Sequence, residues 1–246
     1  MGFEIAEKLQ ALRISFGYFG VKGTAAVMLN KFLQTFKINA YNERYKKNID
    51  RAFDSRFDVD TGGIIEQDQL DISEDRKKQA IQYQGTPTVN LGLALSKLSI
   101  NYPDFLFIDI GAGKGRAIFM AARYSFKGII GVELSEDLHK ICEKNITSLK
   151  KGKLKCLNIK AVHQDAATFQ FPNEPLVLYF FHPFNEEMFQ EVLKNIGQSL
   201  ERNNRQIIIM YYHPGFNNLI GEPEFLDKID LGVADSYWEF YRSKTV

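Results

Sequence analysis

The chain has 246 residues and a mass of 28.2 kDa, room for one large domain with an appendage and not for two complete enzyme domains. Its 31 Lys and Arg against 30 Asp and Glu leave a net charge of +1, which excludes a global field that would draw it onto nucleic acid or anionic lipid. Cys142 and Cys156 are too few for a disulfide scaffold, and His139, His163, His182 and His213 are scattered without metal-ligand spacing, so a cytoplasmic protein with reduced thiols and no metal is expected.

The opening Met1-Gly2-Phe3-Glu4 lacks the order of a signal peptide, and Ala6 stands where a myristoylation motif requires Ser or Thr. Phe3, Ala6, Leu9 and Leu12 share one helical face, Ala25, Leu29, Phe32 and Phe36 a second, and Tyr41, Tyr45, Ile49 and Phe53 a third, which predicts three helices. Residues 14–36, from Ile14 to Phe36, are the most apolar long stretch. Lys22, Lys31 and three glycines interrupt it, which argues against a membrane span and leaves weak surface attachment open. Eight basic and four acidic side chains in residues 1–50, a balance of +4, read as a solvated helical face. Residues 54–75, with acids, a Thr61-Gly62-Gly63 turn and no apolar period, predict a loop that connects rather than packs.

A helix is expected after Gly85, capped by Thr86, with Pro87 at its first position and Val89, Leu91, Leu93, Leu95 and Leu98 as its apolar surface. From Asp104 onward the pattern changes to short Ile, Val and Phe runs alternating with amphipathic segments. Strands are predicted at 104–110, 128–133, 157–163, 175–181 and 205–212, and helices at 115–125, 136–147 and 186–200. Residues 224–231 are ambiguous and 236–243 read as a closing strand. Alternation of this kind builds right-handed crossovers onto a parallel sheet, an α/β fold. It divides the chain into a helical N-terminal region, 1–81, and a main domain, 82–246.

The sharpest local feature is Asp109-Ile-Gly111-Ala-Gly113-Lys-Gly115-Arg116, an apolar strand running into a glycine-rich turn and a helix. Glycine permits positive φ and close approach of backbone to a ligand, and the N–H groups of a helix start favour an anionic moiety. Glu133 ends the next strand 22 residues beyond Gly111, where a carboxylate can accept both hydroxyls of a ribose. Two nucleotides compete for such a site. The nicotinamide fingerprint G-x-G-x-x-G needs a third glycine where this chain has Arg116, and Asp109 would repel a pyrophosphate. An aspartate there suits the cationic amine of S-adenosylmethionine, which carries no phosphate.

On these motifs residues 83–212 resemble a class I S-adenosylmethionine-dependent methyltransferase. The second motif is Gly131-Val-Glu133-Leu134-Ser and the third His163-Gln-Asp165-Ala166. The phrase running from Phe57-Asp-Val-Asp-Thr61 to Tyr179-Phe-Phe-His182-Pro-Phe184 is similar to a bacterial branch of such enzymes and distantly to the non-SET protein-lysine methyltransferases. The resemblance implies a doubly wound, mostly parallel, seven-stranded Rossmann-like sheet. It also implies that Asp109, Gly111, Ala112, Gly113 and Gly115 hold the methionine part, Glu133 and Leu134 the ribose side, and Asp165 and Ala166 the adenine.

In that family the fourth strand commonly ends in Asn or Asp, Pro and an aromatic, which orient an amine; here His182 replaces the amide or acid. Neutral imidazole can act as a general base. Phe184 and Tyr83 can form an aromatic wall that favours a sulfonium or ammonium. Lys114 and Arg116 either meet the methionine carboxylate or face solvent, and residues 83–88 either close over the cofactor or simply start a helix. The expected activity is methyl transfer to an unidentified acceptor, a lysine or other amine among the candidates. The alternatives are an adenosine-ligand sensor or adaptor that docks a partner through the N-terminal helices, and a nicotinamide-dependent oxidoreductase.

Overall fold

Three segments of the second half are apolar at nearly every position, Leu106–Ile110, Leu176–Phe181 and Ile207–Tyr212. Such runs belong at the centre of a sheet covered on both faces, and that is where the computed structural model places them. It describes residues 2–35, 43–150, 154–212, 223–233 and 237–244. In the N-terminal part these form α1 (Gly2–Thr35), α2 (Glu43–Phe57), β1 (Ile64–Ile65), α3 (Glu74–Gln79), β2 (Tyr83–Gln84) and α4 (Thr88–Lys97). Next come β3 (Leu106–Ile110), α5 (Arg116–Ala121), β4 (Gly128–Glu133), α6 (Glu136–Ser148), β5 (Ile159–His163) and β6 (Leu176–Phe181). The chain closes with α7 (Glu186–Arg202), β7 (Ile207–Tyr212), β8 (Leu226–Ile229) and β9 (Trp238–Ser243).

The main sheet has seven strands in the order β5-β4-β3-β6-β7-β9-β8. The first five are parallel, and β9 is antiparallel to both β7 and β8. This is the expected doubly wound, mostly parallel, Rossmann-like sheet. The chain moves outward from β3 in one direction and from β6 in the other. The carboxyl ends of β3 and β6 are therefore the topological switch point, where such sheets open a ligand crevice. Side-chain alternation along the strands separates two cores. Phe107 and Tyr179 pack beneath α1, α2, α4 and α5, whereas Ile108 and Phe180 pack beneath α7.

Several expectations for the first half are corrected. The first two predicted helices form as two helical segments that meet within α1 at the non-helical Gly20 (φ 68°), but the faces they bury differ from the predicted ones. Buried side chains of α1 include Ala11, Ser15, Tyr18, Phe19, Val27 and Asn30, while Leu9 and Leu29 of the predicted faces are 56% and 58% exposed. The helix is apolar on both sides, so its period does not select the face that meets α2 and α4. Phe36 and Tyr41 lie outside the described residues; Phe53, on the third face, is fully buried against Tyr18 and Phe57. Thr86 does not cap α4: Pro87 occupies that position without a side-chain bond, and the Thr86 hydroxyl instead pairs with that of Tyr179 at 3.3 Å.

Residues 58–84, most of which fall in the predicted connecting loop, form a packed strap across the carboxyl edge of the sheet. Thr61 is fully buried and Leu70 is buried. The Asp54 carboxylate accepts the N–H groups of Thr61 and Gly62 at 3.0 Å each and the Thr61 hydroxyl at 2.6 Å. Arg116, only 4% exposed, pairs with Asp50 at 2.7 Å, donates to the Thr61 hydroxyl at 2.9 Å and to the Thr61 carbonyl at 3.1 Å, and lies over the Phe53 ring. Lys114 donates to the Gly62 carbonyl at 2.9 Å and pairs with Asp60 at 3.3 Å. Neither cation faces solvent, as one sequence reading had it. Both fasten the strap to the glycine turn, because a buried cation needs a fixed acidic partner. Asp50→Ala would leave Arg116 without its counterion, and urea denaturation should show a loss of about 3–5 kcal/mol, against almost none for Lys78→Ala, whose ion pair with Asp75 is exposed.

Candidate functional site

The carboxyl ends of β3, β4 and β6 and the underside of the strap enclose a cavity of about 460 Å³, within the range of small-molecule sites. The glycine turn forms its floor. Gly111 and Gly113 have φ of 77° and 53°. A methyl group on Gly111 would stand 2.5 Å from the Pro183 side chain, and one on Gly113 would stand 2.2 Å from the Tyr83 ring. Only glycine therefore allows the turn to pass beneath the residues that roof the cavity. Ala112 borders the cavity with them. Gly115 does not: it caps α5 and packs against Cys142.

Two carboxylates stand beside the turn. Glu133 is 9% exposed and accepts the N–H groups of Gly113 at 2.7 Å, Leu134 at 2.9 Å and Ser135 at 2.8 Å. Burial raises its pKa above the ordinary carboxyl value, and these three bonds oppose the rise. Asp109 is 3% exposed and borders the cavity, and no described residue donates a hydrogen bond to its carboxylate. Burial, followed by the negative charge of Glu133, pushes its pKa well above the usual range. A buried carboxylate without a donor is a receptor for a cation. The neighbouring Lys114 and Arg116 are turned toward Asp60 and Asp50.

At the β4–β5 end, Leu134, Ala166, Leu70 and Ile72 supply apolar wall. Asp165 accepts the Ala167 N–H at 2.9 Å with one oxygen and pairs with Arg76 at 2.8 Å with the other. Arg76 itself borders the cavity and also reaches Glu191 at 3.2 Å. Sequence reasoning missed Arg76, Leu70 and Ile72. Ser73 followed by Glu74 and Asp75 signals the short helix α3, but nothing local shows that this helix lies over the sheet edge.

At the β6 end, His182, Pro183, Phe184 and Tyr83 line the cavity. Phe184 packs on Phe180 and Phe189, and the Tyr83 hydroxyl donates to the Thr61 carbonyl at 2.7 Å. The strap is joined to this loop by backbone bonds: Ile81 N–H donates to the Pro183 carbonyl at 3.1 Å and Asn185 N–H to the Gln79 carbonyl at 2.7 Å. His182 takes a left-handed φ of 40°, and its Nδ1 lies 3.0 Å from the Tyr211 hydroxyl. His139 and His163 stack on each other outside the cavity wall, and His213 lies outside the described residues.

Comparison with known proteins finds one family model and several solved structures. Residues 107–203 match a family model described as a methyltransferase domain. No curated protein matches the chain. Among solved structures, the YcgJ protein of Bacillus subtilis is similar at 16% identity and TM-score 0.38, over half of each chain. Magnesium protoporphyrin IX methyltransferase of Synechocystis PCC 6803 is similar at 12% identity and TM-score 0.43, over 59% of this chain and 72% of that one. An RNA methyltransferase of Salinibacter ruber is similar at 18% identity and TM-score 0.41, over 64% and 91%.

Asp109 makes the empty site costly. Its raised pKa means that the penalty is absent below the unfolded carboxyl value near pH 4, grows as pH rises, and is complete above the folded pKa. Asp109→Asn should therefore raise the melting temperature of the ligand-free protein at pH 7 by about 2–4 °C, with the gain vanishing near pH 4. An unchanged melting temperature at pH 7 would mean that the charge is already compensated.

Proposed function

We propose that the cavity binds S-adenosylmethionine and that the protein transfers its methyl group to an acceptor entering beside His182. The observation that carries this reading is Asp109, a buried carboxylate with no donor among the described residues, at the end of β3 and immediately before the glycine turn. It favours an ammonium and disfavours the pyrophosphate of a dinucleotide, whose charge no free cation of the turn would offset.

The residues present fit the group. Asp109 would take the methionine ammonium and the backbone around Gly111, Ala112 and Gly113 the rest of that moiety, with Gly115 acting through the shape of the turn. Three of the roughly four lone-pair positions of Glu133 already accept backbone N–H groups, leaving room for one ribose hydroxyl rather than two. Leu134 and Ala166 would flank the adenine. Asp165 would meet its amino group beside Arg76, with which it is already paired.

When bound, the cofactor supplies an electrophilic methyl on a sulfonium. The protein's own contribution is positional: the strap excludes water, and the β6 loop holds the acceptor in a near-attack pose of about 3–3.5 Å. Phe184 and Tyr83 form the aromatic side of that mouth, and His182 touches the acceptor. An amine or lysine acceptor draws support from those two rings. The Pro183 carbonyl already accepts the Ile81 N–H and keeps one lone pair for such an amine.

Thermal denaturation with S-adenosylmethionine, S-adenosylhomocysteine and NADH side by side tests the proposal. At 100 times its dissociation constant a bound ligand adds about 2.7 kcal/mol of stability. The two adenosyl ligands should raise the melting temperature and NADH should not; a shift with NADH alone would overturn the reading. His182→Ala should slow methyl transfer while leaving the affinity for S-adenosylhomocysteine within about twofold, about 0.4 kcal/mol, by calorimetry.

A further inference from the structure

The Tyr211 side chain is fully buried and packs on Phe180 at 5.9 Å and Phe189 at 5.0 Å. Burial holds its acidity well below that of an ordinary phenol, and the charge of Glu239 on the neighbouring strand acts in the same direction, so the hydroxyl keeps its proton. That proton needs an acceptor, because a buried donor left unpaired loses the hydrogen bond it would make to water. Glu239 is taken by Lys228 and Tyr241 and makes no hydrogen bond to Tyr211. Among the described residues the hydroxyl has one partner within reach, His182 Nδ1 at 3.0 Å.

We propose that Tyr211 is a positioning residue that donates its hydroxyl proton to Nδ1 of His182 and so fixes the neutral imidazole as its Nε2–H tautomer. If Nδ1 carried the proton instead, the phenolic hydrogen would be left buried without an acceptor. The two ring nitrogens are thereby assigned: Nδ1 is occupied by the phenol, and Nε2 is a hydrogen-bond donor. Resting on the methyl-transfer reading, this makes His182 a group that orients the acceptor molecule by donating to an atom other than the attacking one and does not remove a proton from it.

A second observation points the same way. His182 is one of two non-glycine residues with positive φ among the described residues, a conformation that glycine or asparagine adopts more readily. The strained backbone is held by the Ile81 bond to the next residue's carbonyl and by the anchored ring. Strain of this kind persists where the surroundings over-determine a side-chain direction.

Nitrogen NMR on the full-length, ¹⁵N-labelled protein tests the assignment directly. The chain has only four histidines, so the His182 ring signals are identified by their loss in His182→Gln. At about pH 8, where an ordinary imidazole is neutral, the expected pattern is a protonated Nε2 and an unprotonated Nδ1. Tyr211→Phe should convert it to a mixture of tautomers. A wild-type Nδ1–H pattern overturns the proposal without any variant, and an unchanged pattern in a folded Tyr211→Phe overturns the role of the phenol. The two readings fail separately: a wrong tautomer leaves S-adenosylhomocysteine binding intact, and absent binding leaves the tautomer as measured.

Discussion

The buried guanidinium of Arg116 joins the two halves of the chain. It sits at the first turn of α5, directly after the glycine turn, and is held by Asp50 from α2 and by both oxygens of Thr61 from the strap. A planar fork of donors satisfied from three directions fixes orientation as well as distance. Together with Lys114, which reaches Gly62 and Asp60, this group sets the position of the strap relative to the glycine turn. Gly85 is shaped by it too, since a methyl there would stand 2.4 Å from the guanidinium carbon. Without the clamp the cavity would be an open edge of sheet and not an enclosed site.

The strap then makes a second set of contacts on the far side of the cavity. Ser135 and the Asp137 N–H donate to the Asp71 carboxylate, Arg76 reaches Asp165 and Glu191, and residues 79–81 bond to the loop after β6. These three attachments lie at the ends of β4, β5 and β6. One segment of chain therefore bridges all the strand ends that supply candidate site residues. The exposed ion pairs among them contribute little energy singly, and their effect is to hold the segment in register.

Electrostatically the site has an acidic floor, and the cations that border it, Arg76 and Arg116, are already paired with Asp165 and Asp50. Lys114 and Arg116 follow the glycines immediately, yet their charges are spent on Asp60 and Asp50. Asp109 and Glu133 remain as two buried carboxylates: burial raises the pKa of both, and the charge of Glu133 adds to the rise at Asp109. A cationic ligand with hydroxyls relieves that cost, and a phosphate would add to it. The same feature that destabilises the empty fold thus favours one class of nucleoside ligand over another.

The second half of the chain was legible in its residues. Central parallel strands are apolar at nearly every position, their crossovers are short, and the turn glycines and strand-end acids stand at fixed offsets along one strand-turn-helix unit; β3 to β7 and the glycine turn with Asp109 and Glu133 could be read from period and spacing, and the other candidate residues were named by resemblance. The first half was not. Helix α1 is apolar on both sides, so only its neighbours decide which side is buried, and Leu9 and Leu29 consequently face outward. Residues 58–84 have no period because they pack irregularly over strand ends far away in sequence. The positions of Arg76, the partners of Arg116 and the bond between Tyr211 and His182 depend on contacts separated by 29 residues or more. Local sequence determines which elements form and where the glycine turn and its strand-end acids lie; chain folding in three dimensions decides what covers that place, because long-range pairing of charges and hydroxyls leaves no periodic trace.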